Sequence, residues 1–332
     1  MRLPSTRFRQ LGRSALPLNR RSGATLVVGA AAAGLVALAY NDPHSALTAL
    51  EDATTAAAGS AAAVLVGAGD VAGCNSQSGD HKTADLIAKI PGTVFTVGDN
   101  VYDNGTAKEY AECYQPTWGR FKSRTRAVLG NHEYNTGSAA PSFDYYGAAA
   151  GPRGKGYYSF EAASWHVVVL NSNWRYVATD SESAQLRWLE ADLAAHPRKC
   201  VLALWHHPRF ASAYSSPLES PTSSVKPFWD ALYAAGADVI VNGHQHFYER
   251  FAPQTPAGMK DAARGIRQFV IGSGGRSTGK RPTARRRNSE VVHGGDREYG
   301  VLKLTLREGT YEWKFVPVAG KTFTDAGSAR CH

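Results

Sequence analysis

Five apolar runs in this chain stop at polar residues of a restricted kind. They close on Asp70; on Asp99, with Tyr102 three residues later; on Asn131 with His132; on His206 with His207; and on His244 with His246. Carboxylate, amide oxygen, phenol and imidazole are donors for hard and borderline cations such as iron, manganese and zinc. Each ending alone has an ordinary explanation: aspartate after glycine at a strand end makes a turn or a cap, and paired histidines occur on surfaces. Five such endings between residues 70 and 246 do not fit that explanation. Strand ends on one sheet edge meet in space, so residues distant in sequence become neighbours there.

The elements that must position them follow the same order. "AAVLVGAGD", "TVFTVGD" and "RAVLGNHE" read as strands, the third a short one, with "TADLIAKI" as a helix stopping at Pro91-Gly92 and "AKEYAECYQPTWG" as partly helical. "YYSFEAA" and "WHVVVLNS" read as paired strands. "SESAQLRWLEADLAAH" is the clearest helix, with Leu186, Leu189 and Leu193 on one face and Ser181 or Ser183 as its cap. "CVLALWHHP" and "ADVIVNGHQH" are further strands, separated by the helix "VKPFWDALYAAG"; "RQFVIGSGG", "GVLKLTLREG" and "TYEWKFVPV" follow. Tyr134 to Tyr157 reads as a long polar and aromatic loop, and Asp261 to Asp296, outside "RQFVIGSGG", as loop-rich and basic. The alternation implies a layered α/β domain with sheet inside and helices outside.

At 332 residues, 43% hydrophobic and 20% charged, the chain is globular and long enough for a core without a disulfide framework. Its net charge of +9 divides between an N-terminal stretch rich in arginine and the remainder, where "GKRPTARRRN" is the second basic cluster. No aromatic residues interleave with these arginines, which argues against a nucleic-acid platform. A basic stretch followed by the uncharged run Ser22–Tyr40 reads as an export signal cleaved between Ala46 and Ala63. Arg20-Arg21 hints at a twin-arginine signal. The competing reading is an uncleaved anchor; both place the remainder outside the cytoplasm. Residues 1–40 are thus a signal peptide or anchor, 41–61 a linker and 62–332 the catalytic domain. Four cysteines in an exported chain imply two disulfides. Of three connectivities, Cys74–Cys113 with Cys200–Cys331 is the expected one; reduced, buried thiols are the alternative. No CxxC pair is present, which disfavours a structural zinc site.

Taken together, "GAGD", "GDNVY", "GNHE", "WHHP" and "GHQHFYER" resemble the motifs of the calcineurin-like metallophosphoesterases, over roughly residues 62–250, and the phenol in "GDNVY" with "HxP" and "GHxHxYER" resembles the purple acid phosphatase branch. The resemblance implies a four-layer α/β/β/α sandwich and a site for two metal ions. It implies iron at Asp70, Tyr102 and His246, and zinc, manganese or iron at Asn131, His206 and His244, with Asp99 shared. Many relatives carry Asp-x-His at the first motif; here Val71 and Ala72 follow Asp70, and the resemblance implies that Tyr102 supplies the replacement ligand. Phenolate is a hard, strongly donating anion suited to trivalent iron. A trivalent and a divalent ion against two aspartates, a tyrosinate and a hydroxide leave positive charge for a phosphate ester. The activity implied is phosphomonoester hydrolysis by a metal-bound hydroxide, at acid pH, with His132 as the catalytic side chain that stabilises the transition state or protonates the leaving alkoxide.

Further expectations follow from the same motifs. His207 is a neighbour rather than a ligand. Glu133 orients His132 or a strand end, and Tyr248, Glu249 and Arg250 are structural. The C-terminal strands complete the second sheet. The chain departs from the branch in two respects: "RFASAYSSP" lacks the further phosphate-contacting histidine of some members, and the β-sandwich domain that precedes the catalytic domain in plant members is not apparent. The expected partner is a small-molecule phosphate ester, with membrane contact only through an uncleaved N-terminal segment. A phosphodiesterase or nucleotidase using the same metals is the alternative enzyme. A surface-binding protein without catalysis would show a broken ligand set, and here the set is complete.

Overall fold

The structure, a computed structural model, describes residues 62–74, 78–197, 200–213, 223–276, 282–295 and 297–332. The signal, anchor and linker expected before residue 62, and part of "GKRPTARRRN", lie outside the described residues. In chain order the elements are β1 (Ala63–Ala68), β2 (Ala72–Gly73), α1 (Asp80–Ala88), β3 (Thr93–Thr96), β4 (Val101–Tyr102), α2 (Ala107–Glu109), β5 (Thr125–Arg126), α3 (Ala140–Tyr146), β6 (Tyr158–Ala162), β7 (Trp165–Val169), α4 (Ala184–Ala195), β8 (Cys200–Leu204), α5 (Lys226–Ala234), β9 (Val239–Asn242), β10 (Tyr248–Phe251), β11 (Arg267–Ile271), β12 (Ser289–His293), β13 (Gly300–Arg307), β14 (Thr310–Pro317) and β15 (Ala326–Arg330).

Two sheets result. One runs β15-β14-β13-β1-β3-β5 and the other β12-β10-β11-β9-β8-β7-β6. Alternation along the strands decides the layering, because successive side chains leave a strand on opposite faces. In β8, Val201 and Ala203 face Leu186, Leu189 and Leu193 of α4 and Phe228, Trp229 and Leu232 of α5. Cys200, Leu202 and Leu204 face the other way, into the core shared with Leu65, Leu302 and Leu304 of the first sheet. A strand that is apolar on both faces needs two covers, and the second sheet has them: helices on one side, the first sheet on the other. This is the layered arrangement, sheet inside and helices outside, that the sequence implies. The Ser183 hydroxyl accepts from Leu186 N–H at 3.1 Å and caps α4, fixing its apolar stripe against the sheet.

Within each sheet the strands that lead to the polar endings run parallel: β1, β3 and β5 in the first, and β7, β8 and β9 in the second. Their C-terminal ends therefore gather at one edge.

Four details differ from the sequence reading. The third strand is only Thr125–Arg126, and Ala127 to Gly130 continue as irregular chain. The segment from Tyr134 to Tyr157 contains α3, anchored by buried Phe143 and Tyr146. The segment from Asp261 to Asp296 contains β12, which pairs with β10. The C-terminal strands extend the first sheet, because β13 pairs antiparallel with β1; β10, β11 and β12 complete the second.

Both disulfides have the expected connectivity, Cys74–Cys113 and Cys200–Cys331. The second joins β8 to the residue after β15 and so links the two sheets. Among the described residues no helix is long and apolar enough to cross a membrane.

Candidate metal centre

Seven polar side chains from the gathered strand ends converge, and they sort into two groups of three around one carboxylate. The Tyr102 hydroxyl donates to Asp70 Oδ1 at 2.8 Å, and His246 Nε2 lies 3.3 Å from that hydroxyl and 3.2 Å from the same carboxylate oxygen. On the other side, Asn131 Oδ1 lies 3.0 Å from His244 Nδ1 and 3.1 Å from His206 Nε2, and the two ring nitrogens are 3.2 Å apart. Asp99 Oδ2 stands between the groups, 3.1 Å from the Tyr102 hydroxyl and 3.3 Å from His206 Nε2. Ligands on an octahedron with bonds of about 2.1 Å are separated by about 3.0 Å along an edge. The donors already hold that spacing.

Local backbone conformation aims them. Asp70, Asp99 and His244 all sit at positive φ, at 59°, 50° and 70°. Asp and His are among the non-glycine residues that tolerate this region, at some cost, and such strain collects at functional sites. The glycines before the polar residues serve close approach. A Cβ on Gly98 would lie 2.5 Å from His206 Nδ1, and one on Gly130 would lie 2.2 Å from Asp99 Oδ1. The outer atoms of the donors are committed elsewhere. Asp70 Oδ2 accepts from His244 N–H (2.8 Å), Asp99 Oδ1 from His132 N–H (2.9 Å), and His206 Nδ1 faces the Val97 carbonyl at 2.8 Å. A Nδ1–H donated to Val97 leaves His206 Nε2 turned toward the centre. Glu133, fully buried, accepts from Gly130 and Asp99 N–H with Oε2 and from Asn100 N–H with Oε1, at 2.6, 3.0 and 2.7 Å. It holds strand ends, not His132.

The electrostatics call for positive charge at this point. Burial works against the ionised carboxyl of Asp99, yet the charge and hydrogen bond of His206, and His132 after it, hold it well below the usual range. Burial works against a charged His206 too, but Asp99 outweighs it and pushes the ring up to about 9. Burial and the Asp99 charge raise Glu133 to about 7. The His244 ring goes the other way, lowered to about 4 by burial and by His206 beside it. Tyr102 is raised well above its ordinary value by burial and by the carboxylates of Asp70 and Asp99. Protein charges alone keep the phenol protonated; a phenolate there requires a multivalent cation against it. Buried carboxylates, an amide oxygen and ring nitrogens turned to common points make a donor set that fits two such cations.

His132 is the eighth residue expected at the site. Its Nδ1 lies 2.6 Å from the Asp103 carbonyl, and its Nε2 points inward, 3.8 Å from Asp99 Oδ2. His207 sits against the Asn131–His206–His244 group but pairs through Nδ1 with Ser172 Oγ at 2.9 Å. Tyr248 and Arg250 both hydrogen-bond to Asp325, and Glu249 accepts from Ser212 N–H, which makes all three framework residues.

Two features of the surroundings escape the motif reading. Arg276 lies over the Tyr102 ring, 4.7 Å from its centre, and pairs with Asp103 at 2.8 Å. The end of β7, Asn171-Ser172-Asn173, is a sixth polar strand ending at the same edge. The signal was present, an apolar run stopping at a polar cluster, but it lacks Asp and His.

Comparisons with known proteins bear on the family and the fold. A calcineurin-like phosphoesterase profile matches residues 36–248. Purple acid phosphatase 15 of Arabidopsis thaliana is 31% identical over 208 residues, covering 51% of this chain and 38% of the relative. Purple acid phosphatase 22 of the same plant is 28% identical over 228 residues, covering 60% and 50%. The chain thus spans half or less of the length of these relatives. Among solved structures, a purple acid phosphatase from yellow lupin superposes with a TM-score of 0.67 at 18% identity, covering 82% of this chain and 54% of that one; this likeness concerns the fold.

Proposed function

This chain belongs to the calcineurin-like phosphoesterase family, in its purple acid phosphatase branch, and from that premise we propose that it is an exported dimetal phosphoesterase that hydrolyses phosphomonoesters. One observation carries the reading: two groups of three donors, spaced as ligands of one ion each, share the single oxygen Asp99 Oδ2. Asp70, Tyr102 and His246 would hold iron, and Asn131, His206 and His244 a divalent ion (zinc, manganese or iron). When bound, the pair supplies an activated water and neutralises charge on the phosphoryl oxygens.

The chain's own side chains do the rest. Asp99, fixed through Oδ1 by the His132 amide, keeps Oδ2 between the two groups. His132 donates from Nδ1 to the Asp103 carbonyl, which leaves Nε2 to carry the proton given to the leaving alkoxide. Asn131, being neutral, contributes an oxygen without adding repulsion toward a dianionic ester. Residues 62–332 form the catalytic domain on this reading, with 1–40 as signal or anchor and 41–61 as linker. The two disulfides support an oxidising compartment.

The test joins elemental analysis to a panel of phosphate mono- and diesters, using purified protein before and after metal reconstitution. Two metals per chain including iron, a visible phenolate-to-iron absorption, and higher kcat/KM on monoesters are expected. Tyr102→Phe should abolish the absorption. Colour that survives this change would reject Tyr102 as the iron ligand. Diester preference would favour the phosphodiesterase alternative, and no hydrolysis after reconstitution would overturn the enzymatic reading.

A further inference from the structure

A pocket of about 410 Å³ opens beside the metal centre, and its walls are of two kinds. Asn131 and His244, from the candidate ligand set, form one side; Trp174, Arg175 and Tyr176, from the segment after β7, form the other. Ring contacts connect the two sides. His207 lies 4.6 Å from the His244 ring and 5.3 Å from that of Trp174, which it meets edge-on.

The aromatic wall is held firmly. Asn173 is buried; its side-chain amide donates to the Leu129 carbonyl at 3.1 Å, and its backbone carbonyl accepts from Tyr176 and Val177 N–H. Tyr176 stacks on Tyr134 with ring centres 4.6 Å apart and planes 25° apart. Tyr134 is itself buried, and its hydroxyl accepts from Asn171 Nδ2 at 2.7 Å. Yet Tyr176 is 54% exposed, and among the described residues only Met259 is a comparably exposed large hydrophobic side chain. One face of the ring is backed by a fixed partner and the rest is open beside the pocket. Such a ring adds little to the core. Its open π-face is a surface on which a second planar ring can stack.

We propose that this pocket receives the leaving group, and that it selects phosphate esters whose leaving group carries a planar aromatic ring, stacked on Tyr176 and bordered by Trp174. The proposal rests on the phosphoesterase reading and narrows its substrate class. A nucleobase and a simple aryl ring share the required chemistry; an aliphatic alcohol or polyol has no π-face to offer. Stacking of a ring on an aromatic side chain corresponds to a preference of about tenfold.

The experiment uses full-length, metal-loaded protein and ester pairs that differ in the ring but little in leaving-group basicity. The pairs are 2-phenylethyl phosphate against n-butyl phosphate, and adenosine 5′-monophosphate against ribose 5-phosphate. The aromatic member of at least one pair should have about tenfold higher kcat/KM, and which pair responds separates aryl ring from nucleobase. Tyr176→Ala should bring that ratio close to one, and Tyr176→Phe should keep it. Ratios near one in the unaltered protein, or a ratio indifferent to Tyr176→Ala, would overturn the proposal while hydrolysis itself leaves the phosphoesterase reading standing. If no ester is hydrolysed, the phosphoesterase reading fails separately, and calorimetric binding of 2-phenylethylphosphonate against butylphosphonate decides the pocket. Tighter binding of the aromatic phosphonate, lost in Tyr176→Ala, supports the proposal; equal or undetectable binding refutes it.

Discussion

Asp99 shows how much one residue must satisfy. It turns at positive φ, gives one carboxylate oxygen to the His132 amide, and leaves the other between a phenol and an imidazole. None of this is written in "GD" alone, which is an ordinary turn sequence; what singled it out was its recurrence with Tyr102, Asn131, His206, His244 and His246. Glu133 is the residue whose part the structure sharpened most. Both of its oxygens are committed to backbone N–H groups, on Gly130, Asp99 and Asn100. Glutamine can offer one acceptor oxygen and would turn its own NH₂ against a backbone donor. Glu133→Gln should therefore leave the secondary structure intact by circular dichroism while lowering metal affinity about 10- to 100-fold in a competitive chelator titration, as changes to outer-shell partners do. Unchanged affinity would show that the clamp does not govern the centre.

Among the elements, the strand ends carry the design. Parallel β1 and β3 in one sheet, and β7, β8 and β9 in the other, deliver their C-termini to a common edge. The glycines before Asp70, Asp99, Asn131 and His244 are what let neighbouring turns approach. Gly98 and Gly137 provide a contrast, since both have positive φ, 87° and 88°. A Cβ on Gly98 meets His206 Nδ1 at 2.5 Å and Gly130 Cα at 2.8 Å, while one on Gly137 meets nothing within 4 Å. Gly137→Ala should cost about 1 kcal/mol, the penalty of the backbone conformation alone. Gly98→Ala should cost more than about 3 kcal/mol, because it forces buried groups apart, and should also deplete bound metal. Urea denaturation with elemental analysis checks both; equal costs would mean that the turns have room to relax.

At the scale of the described domain, two large sheets pack on each other, and the disulfides occupy different places in that arrangement. Cys200–Cys331 ties the sheets together at residues remote in sequence. Cys74–Cys113 follows β2, whose Gly73 pairs with Tyr102 of β4. Replacing either pair by serine should cost about 2–5 kcal/mol of stability. Only the Cys74→Ser/Cys113→Ser variant should also weaken iron retention, measured by metal content after dialysis; equal retention in both variants would remove the link between that bridge and Tyr102. By itself the sequence determined most of the strand and helix order, the expectation of two disulfides, the polar strand endings offered as a donor set and the family resemblance. Each of these depends on local periodicity, on redox context or on residue types that recur at short spacing. Only the tertiary structure decided that β13–β15 extend the first sheet, that the segment from Tyr134 to Tyr157 folds around α3, and that Trp174, Tyr176 and Arg276 stand beside the centre. Those facts arise from pairing and packing between residues far apart in the chain, and no local pattern encodes which distant partner wins that competition.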